Sequence, residues 1–150
     1  MAKFLMPRVK LIFPENFLDV KISIPVRITD INYGDHVGND ALVSIIHEAR
    51  IQFLLSGGFT ELNIEGTVGL IMSDLIVEFK NESFYKDVID VKIAIDNISN
   101  VSFELIYKLY CLRDGIELTI ANAKTTMICF DYERKKIANI PSKLLSLIHQ

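Results

Sequence analysis

A short polar segment in the first third of the chain carries the side chains best suited to chemistry. It crowds acids, amides and one histidine together: Asp30, Asn32, Asp35, His36, Asn39 and Asp40. Residues 40–56, which follow, are predicted to form a helix, so the segment is the loop at a helix N-terminus. The unpaired N–H groups and partial positive charge of such an end can stabilise a developing oxyanion. With side chains nearby that hold water or move a proton, this arrangement suits hydrolysis of an acyl group.

The residue types alone leave two explanations of this segment open. Asp, Asn and Gly are also the ordinary residues of turns and helix caps, so the cluster can be purely structural. In that case His36 is a loop histidine bonded to a backbone carbonyl, and Asn39 or Asp40 is only the helix cap. In the functional case His36 moves a proton and Asp40 supplies a carboxylate. Asp35 is either solvated or a substitute base.

A second group of polar side chains lies inside the predicted helix. Glu48 is placed two turns beyond Asp40 on roughly the same face, where it could act as a general base across a dimer cleft. The alternative is an ion pair with Arg50 or with a lysine from a strand, and both remain open. His47 is expected to be structural, and Arg50 and Gln52 are expected to be exposed or at an interface.

The elements around the polar segment predict the fold class. The helix over residues 40–56 is apolar around most of its circumference, which is typical of a core helix, and Gly57–Gly58 can end it. A strand of alternating polarity precedes it at 19–28, where Pro25 indicates a sheet edge or a bulge. Four strands, a tight hairpin turn and a short helix are predicted to follow: 68–80, 88–96, 101–112 and 117–132, Asp114–Gly115, and 142–148. This order favours an α+β domain, with one curled antiparallel sheet wrapped around the long central helix.

The composition narrows the class of protein. The chain has 150 residues and a net charge of −3, with 50% hydrophobic and 23% charged residues. It is therefore predicted to be a single globular domain over residues 1–150, neither disordered nor nucleic-acid-binding. No apolar run approaches the roughly 20 residues of a membrane span, and Pro7, Arg8 and Lys10 interrupt any signal peptide, so a cytoplasmic location is expected. A chain this apolar and short is expected to form a homodimer or a homotetramer.

The sequence does not predict a cysteine nucleophile, a disulfide framework or a metal site. Cys111 and Cys129 fall in strand patterns without a histidine nearby in the sequence, so they are predicted to be core residues and not nucleophiles. Two cysteines are also too few for a disulfide framework. No spacing of His, Cys and Asp suggests a metal site, and no cofactor is predicted.

Residues 30–39 and the helix containing His47-Glu-Ala-Arg50 resemble the hotdog-fold acyl-CoA thioesterases. The branch is that of 4-hydroxybenzoyl-CoA thioesterase, to which the plant acyl-ACP thioesterases are related. Its pattern is Asp-x-Asp-x-x-Gly-His-Val-Asn-Asn followed by a helix with Glu-Ala-Arg, and the similarity covers about residues 26–58. The predicted strand order extends it over most of the chain. The resemblance implies a hotdog fold and hydrolysis of an acyl thioester to a free acid and the thiol of CoA or acyl carrier protein.

The resemblance also implies roles for individual residues. The second acid of the family pattern falls on Asn32, which can bind water or the thioester but cannot act as a carboxylate. His36 matches the family histidine, so the attacking water would be held by Asn32, His36 and an acid, either Asp40 or Glu48. Val37, Gly38 and Asn39 would bind the thioester at the start of the helix, and the N–H groups of Gly38 and Asn39 would stabilise its oxyanion.

Other functions are compatible with the same sequence. The main alternative is a non-catalytic hotdog domain that binds acyl-CoA or acyl carrier protein, which Asn32 in place of an acid favours. A hotdog dehydratase ranks third, because its usual placement of histidine and acid differs from this loop. The polar cluster argues against a purely structural dimer. Three aromatic residues are expected in the core or an interface, although this region can line the acyl channel in a hotdog fold: Phe79, Phe84 and Tyr85.

Overall fold

One antiparallel sheet curls around one main helix in the computed structural model, which describes residues 8–149. Its elements in chain order are β1 (Ile22–Pro25), α1 (Asn39–Ser56), β2 (Val68–Phe79), β3 (Val88–Asp96), β4 (Ser102–Arg113), β5 (Ile116–Asp131), β6 (Lys136–Ile137) and α2 (Ser142–Ile148). The strands lie in the order β1-β3-β4-β5-β2, and β6 pairs with β5. This architecture confirms the predicted α+β hotdog fold. The prediction that the chain has no signal peptide falls on its first residues, and residues 1–7 lie outside the described part of the structure.

Helix α1 supplies the centre of the hydrophobic core. The opposite side of the helix is exposed at Val43 and Glu48, so α1 is less enclosed than its apolar composition predicts. The helix ends at the predicted glycines, where Gly58 has a φ of +81° and Phe59 N–H donates to the Leu54 carbonyl at 2.9 Å. Within residues 8–149, neither helix is long and apolar enough to cross a membrane. The side chains of α1 that join the core of the sheet are Leu42, Ile45, Ile46, Ala49, Phe53 and Leu54.

The predicted cap of α1 is wrong. The N-cap residue is Gly38, whose backbone is extended and which has no side chain to form a cap bond. The Asn39 side chain instead accepts the N–H of its neighbour Asp40 at 2.9 Å. Asp40 lies within the first turn, where its negative charge interacts favourably with the helix dipole. Because neither side chain forms the predicted cap, capping of α1 does not account for Asn39 and Asp40.

The sheet has two edge strands, β1 and β2. Strand β1 lies at an edge as Pro25 indicates, but it covers only four residues of the predicted 19–28. Proline has no N–H to continue the ladder, and residues 28–30 turn into a 3-10 helix. Strand β2 pairs with β5 along its whole length, and within residues 8–149 no strand lies on its other side, where Leu70 N–H donates to the Glu61 carbonyl at 2.6 Å. The two-residue β6 was not predicted, because a strand that short has no detectable pattern.

The bounds of β2, β3, β4 and β5 agree with the four predicted strands to within one residue at each end. Their hairpin turn is also confirmed, since Asp114 and Gly115 have φ angles of +51° and +75°. Cys111 and Cys129 are buried and are core residues as predicted. Burial raises the pKa of Cys129 to about 11, so this thiol stays protonated at neutral pH and is a poor nucleophile.

Candidate active site

The loop between β1 and α1 folds back on itself and brings Asn32 and His36 together. Asn32 N–H donates to the His36 carbonyl at 2.9 Å, and Asp35 N–H donates to the Asn32 carbonyl at 3.2 Å. Asp35 has a left-handed φ of +62° and an exposed side chain, which agrees with its solvated alternative. A Cβ on Gly34 would lie 3.1 Å from His36 Nε2 and 3.2 Å from Asn32 Oδ1. Glycine at this position therefore leaves room for both polar groups.

An open cavity of about 650 Å³ lies at the N-terminal end of α1. An apolar part of its wall is formed by Tyr33, Leu42 and Phe79. Phe79 is exposed and lines the cavity, so it is not a core residue. Amide, imidazole and carboxylate groups thus face one space beside an apolar surface, a combination suited to chemistry on an apolar substrate. Five of the seven predicted site residues line this cavity: Asn32, His36, Val37, Asn39 and Asp40.

The hydrogen bonding of His36 shows which ring nitrogen can act as a base. Nδ1 lies 3.1 Å from the Val37 carbonyl oxygen, which can accept but not donate a hydrogen, so Nδ1 carries the hydrogen of the neutral ring. Nε2 then carries the lone pair. Nε2 lies 3.8 Å from Glu82 Oε1, a separation that suits a bridging water better than a direct hydrogen bond. The side chain is 32% exposed, so water can reach it.

The backbone donors at the start of α1 are fewer than predicted. Gly38 N–H donates to the Asp30 carbonyl at 3.0 Å, and Val37 N–H donates to the Ser83 carbonyl at 2.8 Å. The expectation that the Gly38 N–H would hold an oxyanion is therefore not met. Asn39 N–H has no acceptor among residues 8–149, and Asn39 lines the cavity. Of the predicted backbone donors, Asn39 is therefore the one whose N–H stays open at the cavity, at the positive end of the helix dipole.

Sequence reasoning missed one wall of the cavity, residues 80–83. Here Glu82 faces His36, and Ser83 anchors the loop through the bond from Val37. A polar run between two predicted strands indicates only a connecting turn. Its position opposite His36 results from the way the sheet places the end of β2 beside the start of α1. Spacing along the chain carries no signal for that proximity.

Glu48 does not join this cavity. It lies in a separate groove beside β1 with His47, and its carboxylate accepts a bond from Gln52 Nε2 at 2.8 Å. The alternative that paired Glu48 with Arg50 is wrong, and so is the prediction that Arg50 is exposed or at an interface. Arg50 is 6% exposed and its guanidinium pairs with Glu61. His47 lies 3.4 Å from the same Glu61 carboxylate and on the outside of the helix.

Comparison with known proteins identifies the family. The family model described as the thioesterase-like superfamily matches residues 26–148. A curated protein of Aquifex aeolicus (strain VF5) named "Putative esterase" is 28% identical over 102 residues, which cover 67% of this chain and 75% of that protein.

Two solved structures show the same fold. A 1,4-dihydroxy-2-naphthoyl-CoA thioesterase from Synechocystis superposes with a TM-score of 0.77 at 20% identity, covering 87% of this chain and 95% of that one. A variant of 4-hydroxybenzoyl CoA thioesterase complexed with 4-hydroxybenzoyl CoA superposes with a TM-score of 0.77 at 15% identity, covering 86% and 97% of the two chains. The match of the family model over most of the sequence confirms the resemblance inferred from the loop and the helix. The chain belongs to the thioesterase-like superfamily.

Proposed function

We propose that the protein is an acyl-CoA thioesterase, which hydrolyses an acyl thioester to a free acid and a thiol. The observation that carries the proposal is the cavity at the start of α1, where Asn32, His36 and Asp40 face one open space beside an apolar wall. Membership of the thioesterase-like superfamily supports the reaction type. The two thioesterases of similar fold are named for CoA substrates, which supports CoA over acyl carrier protein as the thiol carrier.

In the proposed reaction, His36 activates water for attack on the thioester carbonyl carbon. A water beside Nε2 transfers a proton to the imidazole as its oxygen bonds to the carbon. Asn32 Oδ1 accepts the Gly34 N–H at 2.8 Å, which leaves the amide hydrogens of Asn32 to donate to the water or to the thioester oxygen. Asp40 is the acid that helps to hold the attacking water, because Asp40 lines this cavity and Glu48 does not.

The second half of the reaction breaks the carbon–sulfur bond. The Asn39 N–H and the dipole of α1 stabilise the oxyanion of the tetrahedral intermediate. As the intermediate collapses, electrons return to the carbonyl, the thiolate leaves, and the imidazolium of His36 gives its proton to sulfur. The hydroxyl of water therefore ends on the acyl carbon and its hydrogen on the thiol. Glu82 Oε1 lies 3.8 Å from Nε2, so a carboxylate is close to the positive charge that the ring carries between the two proton transfers.

A panel of acyl-CoA thioesters with short, long and aromatic acyl groups tests the proposal. Release of the free thiol is expected for at least one of them, with kcat/KM of about 10⁴ M⁻¹ s⁻¹ or more. Asp40→Asn is expected to lower that value about 10- to 100-fold, because the variant lacks the carboxylate that helps to hold the attacking water. Asp35→Asn is the matched control, since Asp35 is exposed on the same loop and does not line the cavity.

The same panel distinguishes the proposed hydrolase from a non-catalytic binding protein, the alternative that the asparagine at position 32 favours. Binding of CoA thioesters without release of thiol from any of them would contradict the proposed hydrolase and support a binding protein. Thiol release that Asp40→Asn and Asp35→Asn reduce equally would contradict the role of Asp40 while leaving the activity established.

A homodimer in the cytoplasm is part of the same proposal. From Met72 to Phe79, no strand among residues 8–149 pairs with the outer edge of β2, and these two side chains are exposed along it. An unpaired strand edge is a template for a second copy. Since Phe79 also lines the cavity, a copy paired there would lie next to the acyl group. The fully exposed Tyr33 is open on the same cavity and would gain contacts in such a dimer.

Light scattering of the purified protein at micromolar concentration measures the proposed assembly. The expected mass is twice the 17.1 kDa of the chain, or four times that value for a homotetramer. A single species with the mass of one chain would contradict the proposal of an oligomer.

A further inference from the structure

The turn that follows β2 is held together by one carboxylate oxygen. Asp87 Oδ2 accepts three hydrogen bonds: from Phe84 N–H at 2.8 Å, from Ser83 Oγ at 3.1 Å and from Arg113 Nη2 at 2.7 Å. Burial by itself raises the pKa of the Asp87 carboxyl, but these donors outweigh it and hold the pKa below its usual value. The carboxylate therefore stays ionised and bonded at neutral pH.

Arg113 ties this turn to the far end of β4. Besides Asp87, its Nη2 donates to the Glu82 carbonyl oxygen at 2.8 Å, and its guanidinium lies over the Phe84 ring at 4.8 Å from the centroid. Lys86 in the same turn has a left-handed φ of +76°, an unfavourable conformation for this residue that persists only where surrounding contacts impose it. The bonds of Asp87 to Ser83 and Phe84 close the turn in which Lys86 lies.

The clamped turn carries one wall of the candidate active site. Ser83, which is 2% exposed, accepts the Val37 N–H at 2.8 Å and so anchors the loop that carries His36. Glu82 faces His36 Nε2 at 3.8 Å, yet its own side chain is mostly exposed. Its place opposite the imidazole is therefore set by its backbone, which Arg113 holds through the carbonyl.

We propose that Arg113 is a positioning residue for the reaction: together with Asp87 it holds Glu82 opposite His36. The inference rests on the proposed function. Arg113 does not line the cavity and touches no reacting atom, so its effect passes through Glu82. Misplacing a catalytic group by about 1 Å can lower a rate as much as 100-fold, so a clamp outside the cavity can control turnover.

A double-mutant cycle on kcat tests this proposal, with wild type, Arg113→Met, Glu82→Gln and the double variant measured on the best CoA thioester. Arg113→Met and Glu82→Gln are each expected to lower kcat about tenfold, with KM changed less than about twofold. The double variant is expected to be no slower than Glu82→Gln alone, because Arg113 then has no carboxylate to position. Arg113→Lys, which keeps the charge, is expected to recover part of the loss.

The control variant is Arg134→Met. Arg134 also pairs with an aspartate, Asp131, at 3.8 Å, but it is exposed and remote in sequence from the turn. This variant is expected to leave kcat unchanged. Thermal unfolding of each variant separates loss of fold from loss of rate, and Asp87→Asn replaces Arg113→Met in the cycle if the latter unfolds.

The outcomes distinguish the two proposals. If the losses from Arg113→Met and Glu82→Gln multiply in the double variant, Arg113 acts independently of Glu82 and the positioning role is wrong. It is equally wrong if Glu82→Gln leaves kcat unchanged while the wild type turns over, and in both cases the hydrolase proposal stands. A wild type without turnover on any thioester overturns the hydrolase, and the positioning role with it.

Discussion

His36→Ala is expected to lower kcat/KM by about 100- to 1,000-fold, the usual contribution of a positioned general base. The reason lies in the geometry of the ring, in which Nδ1–H bonds the Val37 carbonyl and Nε2 carries a lone pair toward the cavity. Alanine removes that base, and no other imidazole lines the cavity within the described residues. The loss is expected mainly in kcat, because proton transfer belongs to the transition state and not to substrate binding.

His47→Ala is the matched control for this prediction. His47 is exposed on the outside of α1 and faces Glu61, away from the cavity. Its replacement is expected to change kcat/KM by less than about twofold, as for most surface substitutions. Steady-state assays on the same thioester measure kcat/KM for both variants. If His36→Ala retained more than about half of the activity, the imidazole would have no part in proton transfer.

Glu61→Ala is expected to lower the free energy of unfolding by about 3 kcal/mol, because it leaves a buried guanidinium without its carboxylate. Arg50 is 6% exposed, and its charge is compensated by the ion pair with Glu61. Burial alone lowers the pKa of Arg50, but Tyr107 and Glu61 together raise it above its usual value. The Tyr107 hydroxyl is itself bonded to Thr125 Oγ1 at 2.8 Å and is a neutral partner, which cannot replace the lost charge.

Glu48→Ala provides the comparison, because Glu48 is the acid that the sequence placed beside Arg50. Its carboxylate is exposed and bonds only to Gln52 among the described residues, so a change below about 0.5 kcal/mol is expected. Urea unfolding followed by circular dichroism measures both variants. Equal losses of stability from the two substitutions would contradict the assignment of Glu61 as the partner of Arg50.

Part of the candidate site was predictable because it is contiguous in sequence. Asn32, His36 and Asp40 belong to one loop and the first turn of one helix, so they stay close whatever the rest of the chain does. Glu82 and Arg113 were not predictable, because each enters only through pairing between strands distant in sequence. Local composition marks such residues as ordinary turn and hairpin residues.

The wrong predictions for Arg50 and for the Gly38 N–H have the same cause: contacts that the local sequence does not reveal. The helical pattern of residues 40–56 predicts which face is apolar, but not which partner reaches a charged residue on it, so Arg50 was placed at the surface. The Gly38 N–H was expected to bind substrate because helix starts leave donors unpaired. In the structure the Asp30 carbonyl takes that hydrogen, a bond between backbone groups that no side-chain pattern reports.

The sequence by itself determined the order and nearly the bounds of the main helix and the long strands, and with them the family. These depend on periodicity and turn residues, which act over a few neighbouring positions. Only the tertiary structure decided which groups meet: which N–H remains open at the start of α1, which acid faces His36, and which carboxylate neutralises Arg50. Each of those is a contact a few ångströms long between groups that are not neighbours in the chain, and the sequence pattern does not specify which groups the folded backbone brings within reach.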